Sequence, residues 1–420
     1  MRRIPYPEMV MRRIHTALRS ALALLALAGM LPPAHATQAL TVDAELSVAE
    51  VTAATLAHSP DNERFDAQRV HADALDKRAG IPLDGPPSLG FSHQTDALGG
   101  DTGMREWETS VELPLRRPGL QSAAERQAED YLVAVEQQSA AWRLEIAGRV
   151  RGLLARLAEA DEGVTLARQA LDTAEQLQAQ VQKRLDHGDV PRTHLILAQE
   201  ETLQRQAELR QAELALVQVA EEYRQVTGLN ARPADWAESP ASDATFEQHP
   251  TLLAARTDVQ VAEADRAVVR ERGRSQPTVG MNIRREENGR DSIDSVGISI
   301  SLPLQFQRLR APQEASANVS VADAHSQASL TERRLRLAVV QADESLSAAR
   351  EELEQAQVHR DLADESLSLA RRAYSLGEIG LADLLRVQER QLAAQRRAAM
   401  SHVRLQRSIA EYNQAQGVMP

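Results

Sequence analysis

The stretch RAYSLGEIGLADLLRVQE (372–389) has a counterpart, KRLDHGDVPRTHLILAQE (183–200), earlier in the same chain. The two align without a gap, which places Gly188 on Gly377, and the agreement continues at a constant offset as far as Gly228 and Gly417. Self-similarity of this length indicates two copies of one structural unit. Each copy has a glycine-containing break in an otherwise helical pattern, so each predicts a long helical hairpin with its tip near Gly188 or Gly377.

The segments that precede these hairpins are repeated as well. The tripeptide LPL occurs at 113–115 and again at 302–304, at the offset that relates the two tips. No proline interrupts the run from about 118 to 186, and a helix of that length would span about 100 Å. Such a helix predicts a coiled coil or a stave of a helical barrel. The second long hairpin is expected over about 312–417.

The composition is typical of long helices packed side by side. Aromatic residues make up 3% of the chain, charged residues 26%, and there is no cysteine. Without cysteine the chain cannot form disulfides, thiolate metal sites or a lipidated N-terminal cysteine. The formal charge of −12 would repel nucleic acid, so a nucleic-acid partner is not expected.

Residues 1–36 have the pattern of an export signal. Basic residues precede an apolar run at 21–31, and Ala34 and Ala36 offer the small-x-small pattern of a cleavage site. The apolar run is too short for a membrane-spanning helix. The tetrapeptide MRRI occurs at both Met1 and Met11, so either methionine fits as the start of translation.

Segments of about 87–115 and 276–304 have a period of two residues, with apolar and small polar residues alternating. Each predicts a β-hairpin with one apolar and one polar face. Four such strands leave their edges exposed in a single chain and are too few to close a barrel. Several chains are therefore expected to share one barrel, and the strand length suits an outer membrane. A soluble β-layer packed on helices is the alternative.

These patterns divide the chain into a signal (1–36), a first repeat (37–228), a linker (229–249) and a second repeat (250–420). The linker is rich in proline, serine and aspartate, and the helix, strand-pair and hairpin pattern begins again after it. The predicted fold class is mainly α with a small β part.

The chain resembles the TolC family of outer-membrane efflux ducts. The resemblance covers the whole mature chain and rests on the duplicated strand-pair and hairpin layout, on SVELPL and ISISLPL before the long helices, and on YSLGEIGLADLLRVQ at the second tip. The stretch ISISLPLQFQRLRAPQEASA is similar to the branch that works with metal and drug pumps of the resistance-nodulation-division class.

The resemblance implies a homotrimer in which three chains form a 12-stranded barrel and a periplasmic tunnel of 12 helices. The barrel would lie in outer-membrane lipid, with the tunnel extending into the periplasm. A periplasmic adaptor, or membrane fusion protein, and an inner-membrane pump would be the partners at the hairpin tips. Gly188, Val190, Gly377, Ile379 and Gly380 would contact the adaptor.

The resemblance also implies a gate at the second tip. Tyr374 occupies the place of a tyrosine that latches the closed tip, and Asp383 that of an aspartate that lines the constriction. A second aspartate of the family is replaced by Arg386, which would partly offset the acidic ring. For Tyr374 the alternative is that the ring only packs in the seam between the helices. For Asp383 the alternative is that the carboxylate stabilises the start of a helix.

Other candidate residues have simpler interpretations. His187 and His194 near the first tip are expected to be solvated histidines rather than a metal site. Trp107 is expected in an aromatic belt at the membrane interface, with packing on a neighbour as the alternative. The sequence contains no phosphate-binding loop, nucleophile elbow or HExxH motif, so no catalytic, cofactor or resident metal site is predicted.

The predicted function is a passive exit duct of a tripartite efflux or secretion system for small molecules or metal ions. A periplasmic adaptor is one alternative, although adaptors carry one hairpin and this chain has two. A coiled-coil scaffold of an envelope transport complex is another, and it would leave the alternating strands without a role. The sequence does not distinguish between the cargoes.

Overall fold

The computed structural model describes residues 39–100, 102–242, 245–304 and 306–420. The expected export signal and its cleavage residues, Ala34 and Ala36, lie outside these ranges. The chain divides into two compact units after Thr41, and nearly all of the described residues belong to the second unit, Val42–Pro420.

Helices account for most of this unit, with a small β part, which confirms the predicted fold class at that level. The helices are α1 (Val48–His58), α2 (Asp61–Ala79), α3 (Pro118–Asp186), α4 (Arg192–Thr227), α5 (Pro250–Arg272), α6 (Gln307–Ser375) and α7 (Leu381–Ala415). The strands are β1 (Thr41–Asp43), β2 (Ser88–Thr95), β3 (Met104–Pro114), β4 (Ala231–Pro233), β5 (Thr278–Asn288) and β6 (Asp291–Ser301). A short 3₁₀ helix spans Phe246–Gln248.

Four strands form one antiparallel sheet in the order β2-β3-β5-β6. In its central row Val111 pairs with Leu89 on one side and with Met281 on the other, and Met281 pairs with Ile298. Because side chains alternate between the faces of a strand, this register gathers the apolar residues of all four strands on one face. That face is exposed: 76% of Ile298 is accessible to solvent. The chain's own helices thus leave uncovered the face that a β-layer packed on helices would bury.

The two long hairpins lie side by side. Helix α3 packs against α4, α6 packs against α7, and α3 also packs against α7. The resulting order is α4-α3-α7-α6, which leaves α4 and α6 at the two edges of this layer. No described helix has both the length and the apolar character needed to cross a membrane.

The shorter helices extend this layer toward the sheet. Helix α5 contacts both α3 and α6, as α7 does, so α5 and α7 occupy successive positions between the same two long helices. Helix α2 packs along α3. The long helices α3 and α6 are therefore the continuous staves, and the end of α7 meets the beginning of α5 between them.

The return helix α4 buries residues at heptad spacing, such as Thr202 and Tyr223. Ala198 and Tyr223 are fully buried, and the hydroxyl of the buried Thr202 donates to the Ala198 carbonyl. Arg205, seven residues after Ala198, forms ion pairs with Glu201 and Glu208 on the same helix. The packed face of α4 thus tolerates polar residues, because they form hydrogen bonds or ion pairs with groups on the same helix.

The start of the second long helix differs from the prediction. The sequence places it at about Pro312, whereas α6 begins at Gln307 and contains Pro312. Proline at this depth removes one backbone hydrogen bond, that of its missing N–H to Arg308. Arg310 satisfies a different backbone group, since its guanidinium donates to the Gly273 carbonyl at 3.2 Å. The helix therefore accommodates a proline that the sequence pattern suggests as its first residue.

Candidate functional site

The two hairpin tips meet in one apolar cluster at the end of the helical layer. Its members come from both repeats, which shows that the tips support each other. The buried members are Leu177, Val181, Val190, Ala198, Leu367, Tyr374, Leu381 and Leu384.

The turn of each tip has the same backbone geometry. Gly188 has φ of 79° and Gly377 has φ of 78°, a conformation in which a side chain is strained. The amide of Gly188 donates to the carbonyl of Leu185 at 2.9 Å, and that of Gly377 donates to the carbonyl of Tyr374 at 3.1 Å. Since these donor–acceptor pairs occupy equivalent positions in the two copies, the sequence repeat is also a repeat of turn structure.

Tyr374 lies within the apolar cluster and is 8% exposed. Its ring lies under the guanidinium of Arg184, with 5.1 Å between Cζ and the ring centre. The Tyr374 hydroxyl oxygen is buried and has no hydrogen-bond partner in the described structure. In this chain Tyr374 therefore holds the tip by packing and by its contact with a cation.

Asp383 and Arg386 lie on the first two turns of α7 and form an ion pair. The distance from Arg386 Nη1 to Asp383 Oδ1 is 3.0 Å, and both side chains are more than half exposed. Gly380 is the N-cap residue of this helix and provides no side-chain hydrogen bond. The Asp383 carboxylate is thus locally paired with a cation.

The remaining tip residues divide into buried and exposed groups. Val190 is buried in the cluster, and Ile379 packs against it while partly buried. Added Cβ atoms on Gly188 or Gly377 would meet nothing within 4 Å. The turn backbones at Gly188 and Gly377 are therefore open to the surface, whereas Val190 contributes its side chain to internal packing.

The two histidines near the first tip have different surroundings. The Nδ1 atom of the exposed His187 lies 2.6 Å from the carbonyl oxygen of Lys183. His194 is half-buried, on the opposite arm of the hairpin. Among the described residues no group of three or more histidines, aspartates or glutamates has the geometry to hold a metal ion.

The polar face of the sheet carries several charged side chains. Arg284 pairs with Glu106 at 3.2 Å, and Asn282 donates to Glu108 at 2.7 Å. These contacts bridge β3 and β5, the strands contributed by different repeats. The polar face is therefore one connected surface.

On the apolar face Trp107 lies near the hairpin end of the strands. Its ring stacks on that of His93, with centroids 4.8 Å apart. The next residue in the same row, Arg285, pairs with Asp294 at 2.7 Å. The apolar face is therefore bounded at this end by amphipathic and charged side chains.

The edge helices expose apolar stripes that sequence reasoning did not assign to a site. On α4 the exposed apolar residues include Ile196, Leu197, Leu203, Leu214 and Val217. On α6 and directly after it they include Leu337, Val340, Val358, Leu362, Leu369 and Leu376. Leu362, Leu369 and Leu376 recur at the heptad spacing that could have identified this stripe.

No protein-family model matches the sequence, and no curated protein matches it either.

Solved structures share the fold over almost the whole chain. A membrane protein from Pseudomonas aeruginosa is 16% identical with a TM-score of 0.74, covering 91% of this chain and 92% of its own. The transmembrane channel CusC is 14% identical with a TM-score of 0.74, and the match covers 93% of this chain and 96% of CusC. The outer-membrane protein VceC from Vibrio cholerae is 18% identical with a TM-score of 0.73, covering 88% and 96%. The resemblance to the TolC family is thus confirmed at the level of the fold.

Proposed function

We propose that this chain is the subunit of an outer-membrane exit duct in a tripartite efflux or secretion system. Three copies form a 12-stranded barrel in the outer membrane and a tunnel of helices in the periplasm. The duct is passive and catalyses no reaction. One observation carries the proposal: a single four-stranded sheet has an exposed apolar face and two edge strands, β2 and β6, without a partner strand in the described chain.

The edges and the faces of the sheet both support this proposal. Edge strands carry unpaired backbone groups, and in a bilayer each unpaired group costs several kcal/mol. Pairing β6 of one copy with β2 of the next satisfies both edges, and the alternating direction of four strands makes that pair antiparallel. The apolar face then contacts lipid and the polar face lines the lumen.

The number of copies follows from the size of the barrel. Eight strands enclose an interior that side chains can fill, so two copies would leave no open channel. Twelve strands, from three copies, leave room for a wet lumen. The polar face, with Glu106, Glu108 and Arg284, is suited to line it.

The helical layer supports the same ring. Its edge helices α4 and α6 both carry exposed apolar stripes, including Leu203 (64% exposed) and Leu362 (61% exposed). Leu203 lies roughly three helical turns from the tip end of α4, and Leu362 lies roughly three to four turns from the tip end of α6. The two leucines are therefore at similar heights above the tips. In a closed ring α4 of one copy packs on α6 of the next, which buries both stripes.

The tips are the proposed gate and docking end. Tyr374 and Arg184 hold the two hairpins of one chain together, and the paired Asp383 and Arg386 lie exposed beside them. The surface that an adaptor would contact is shaped by Gly188, Val190, Gly377, Ile379 and Gly380. Of these, Val190 is buried and shapes the surface through internal packing. An inner-membrane pump would deliver the cargo, a small molecule or a metal ion.

Conductance of the purified protein in a planar lipid bilayer tests this function. The full-length protein, extracted in detergent and eluting as a trimer, is expected to give discrete ion currents. Protein unfolded by heat before addition is the control and should give none. A monomer that stays in solution without detergent, or a trimer that inserts without conducting, would contradict the proposal.

A further inference from the structure

A cavity of about 780 Å³ lies where α7 ends and α5 begins, between the continuous helices α3 and α6. Two helix ends that meet in this way cannot continue each other's side-chain packing. The gap is bounded by Ala415 of α7, by His249 and Thr251 at the start of α5, and by side chains of α2, α3 and α6. Its volume is within the range of sites that bind small organic molecules.

The walls of the cavity are largely apolar and are kept apart by small residues. The aromatic part consists of Phe65 and Trp142, whose ring centres are 5.0 Å apart. The alanines that line the cavity are Ala141, Ala254, Ala338, Ala342 and Ala415. Larger side chains at these positions would fill the cavity, so the small size of the alanines keeps it open.

Two buried nitrogen atoms of the lining have no hydrogen-bond partner in the described structure, Nε1 of Trp142 and Nε2 of His249. Trp142 is 9% and His249 is 3% exposed. The amide of Thr251 donates to Nδ1 of His249 at 3.2 Å, which assigns the ring proton to Nε2. The indole N–H of Trp142 is therefore a buried donor without an acceptor, whereas the Gln414 carbonyl lies beside the His249 ring.

Burial also keeps the His249 ring neutral. It lowers the pKa of His249 below 6.5, while the backbone carbonyl of Gln414 and the histidine's own backbone act in the opposite direction. At neutral pH the ring presents a neutral N–H group to its surroundings. A partner of this N–H group therefore does not need a negative charge.

The acidic groups of the lining already have partners. Glu411 pairs with Arg407 at 2.8 Å. Asp258 accepts a hydrogen bond from Gln138 at 2.7 Å, and Glu145 pairs with a neighbouring arginine on α3 at 2.6 Å. The guanidinium of Arg64, which also lines the cavity, pairs with Asp61 at 3.3 Å. The cavity thus offers a ligand the neutral Trp142 donor and an apolar wall, with its charged groups already paired.

We propose that this cavity binds an uncharged, largely apolar organic molecule that carries an acceptor oxygen, such as an aromatic ketone. The oxygen accepts a hydrogen bond from Nε1 of Trp142, and the ring system packs on Phe65 and the alanines. The site is built within one chain, so it does not depend on the proposed duct.

Photolabelling with benzophenone, an uncharged aromatic ketone, tests the site on the full-length protein in detergent. Irradiation should place adducts mainly on the peptides that line the cavity, as mapped by mass spectrometry. The substitution Ala338→Trp fills the space and should reduce these adducts at least tenfold, whereas the matched Ala338→Ser should not. Trp142→Phe removes one donor and keeps the ring, so it should weaken labelling about threefold to tenfold.

Competition in the unsubstituted protein provides a test that does not depend on any variant folding. Fluorenone, which has the acceptor oxygen, should suppress cavity labelling at much lower concentration than fluorene, which lacks it. Adducts spread over the whole surface, equal labelling of the two Ala338 variants, or equal competition by the two compounds would overturn the proposal. Absence of cavity adducts would do so as well, since it would mean that the assembled protein fills the space itself.

Discussion

The Cζ atom of Arg184 lies 5.1 Å from the centre of the Tyr374 ring. Arg184 is close to the end of α3 and Tyr374 is close to the end of α6, so this contact joins the two long hairpins at their tips. A cation over an aromatic ring contributes about 0.5–1 kcal/mol at accessible sites and more where water is excluded. The tips of one chain are therefore coupled by a specific contact as well as by apolar packing.

Replacing Tyr374 with alanine is expected to loosen the tips and raise single-channel conductance. The change removes a ring that fills the shared cluster and contacts Arg184, which typically costs about 3–5 kcal/mol of packing free energy for a buried aromatic. Tyr374→Phe is the matched control, and it should leave conductance unchanged because the hydroxyl has no partner. Equal currents from Tyr374→Ala and the unsubstituted protein would remove this residue from the gate.

The substitution Gly377→Ala is expected to destabilise the second tip by about 1 kcal/mol, because φ of 78° is strained for a residue with a Cβ atom. Hydrogen exchange of residues 374–380 should become faster. The control is Gly163→Ala within α3, where an added Cβ also meets nothing within 4 Å. That change should stabilise the helix by about 0.5–1 kcal/mol, and a similar response at both glycines would refute the conformational explanation.

Neighbouring residues on β6 test which face of the sheet contacts lipid. Ile298→Lys places a charge on the apolar face and is expected to cost about 2–4 kcal/mol in the bilayer, which should abolish insertion into liposomes. Ser299→Lys, one residue further on the polar face, should insert normally because Gly280 opposite it leaves space. Flotation of the two variants with liposomes measures the difference. Normal flotation of Ile298→Lys would contradict the assignment of the faces.

The buried ion pair of Arg151 and Glu238 fixes the linker to α3. Two hydrogen bonds of 2.7 and 2.8 Å join them, and the same guanidinium donates to Gln414 and to the Val418 carbonyl. Glu238→Ala leaves a buried arginine without its counter-charge and is expected to lower the free energy of unfolding by about 3–5 kcal/mol.

Thermal unfolding of the purified protein checks this value. The exposed pair of Asp66 and Arg69 provides the control, since Asp66→Ala should change stability by less than about 1 kcal/mol. The double substitution of Arg151 and Glu238 by methionine should recover part of the loss. A loss for Glu238→Ala no larger than that for Asp66→Ala would show that the pair does not hold the linker.

The repeat, the proline-free run and the alternation of apolar and polar residues were together sufficient to predict the long helices and the strand pairs. Gly188 and Gly377 mark the tips because only a residue without a side chain adopts that turn easily. The predicted start of α6 at Pro312 was wrong, because proline is tolerated near a helix N-terminus at the loss of one hydrogen bond.

Other features depend on contacts between distant parts of the chain. Arg151 and Glu238 are 87 residues apart, and nothing in their local sequence indicates a pair. Burial of Val190 within the tip likewise depends on the second hairpin, which covers it. The cavity beside Trp142 exists only because the end of α7 meets the start of α5, a consequence of helix packing that periodicity does not describe.

The central claim is that the sheet and the helical layer close only when copies of the chain share a ring. Single-particle electron cryomicroscopy of the full-length protein, purified in mild detergent, tests this most directly. The account predicts a threefold particle in which β6 of each copy pairs with β2 of the next and α4 packs on α6. A monomeric particle with an open sheet, or a sheet covered by other parts of its own chain, would contradict it.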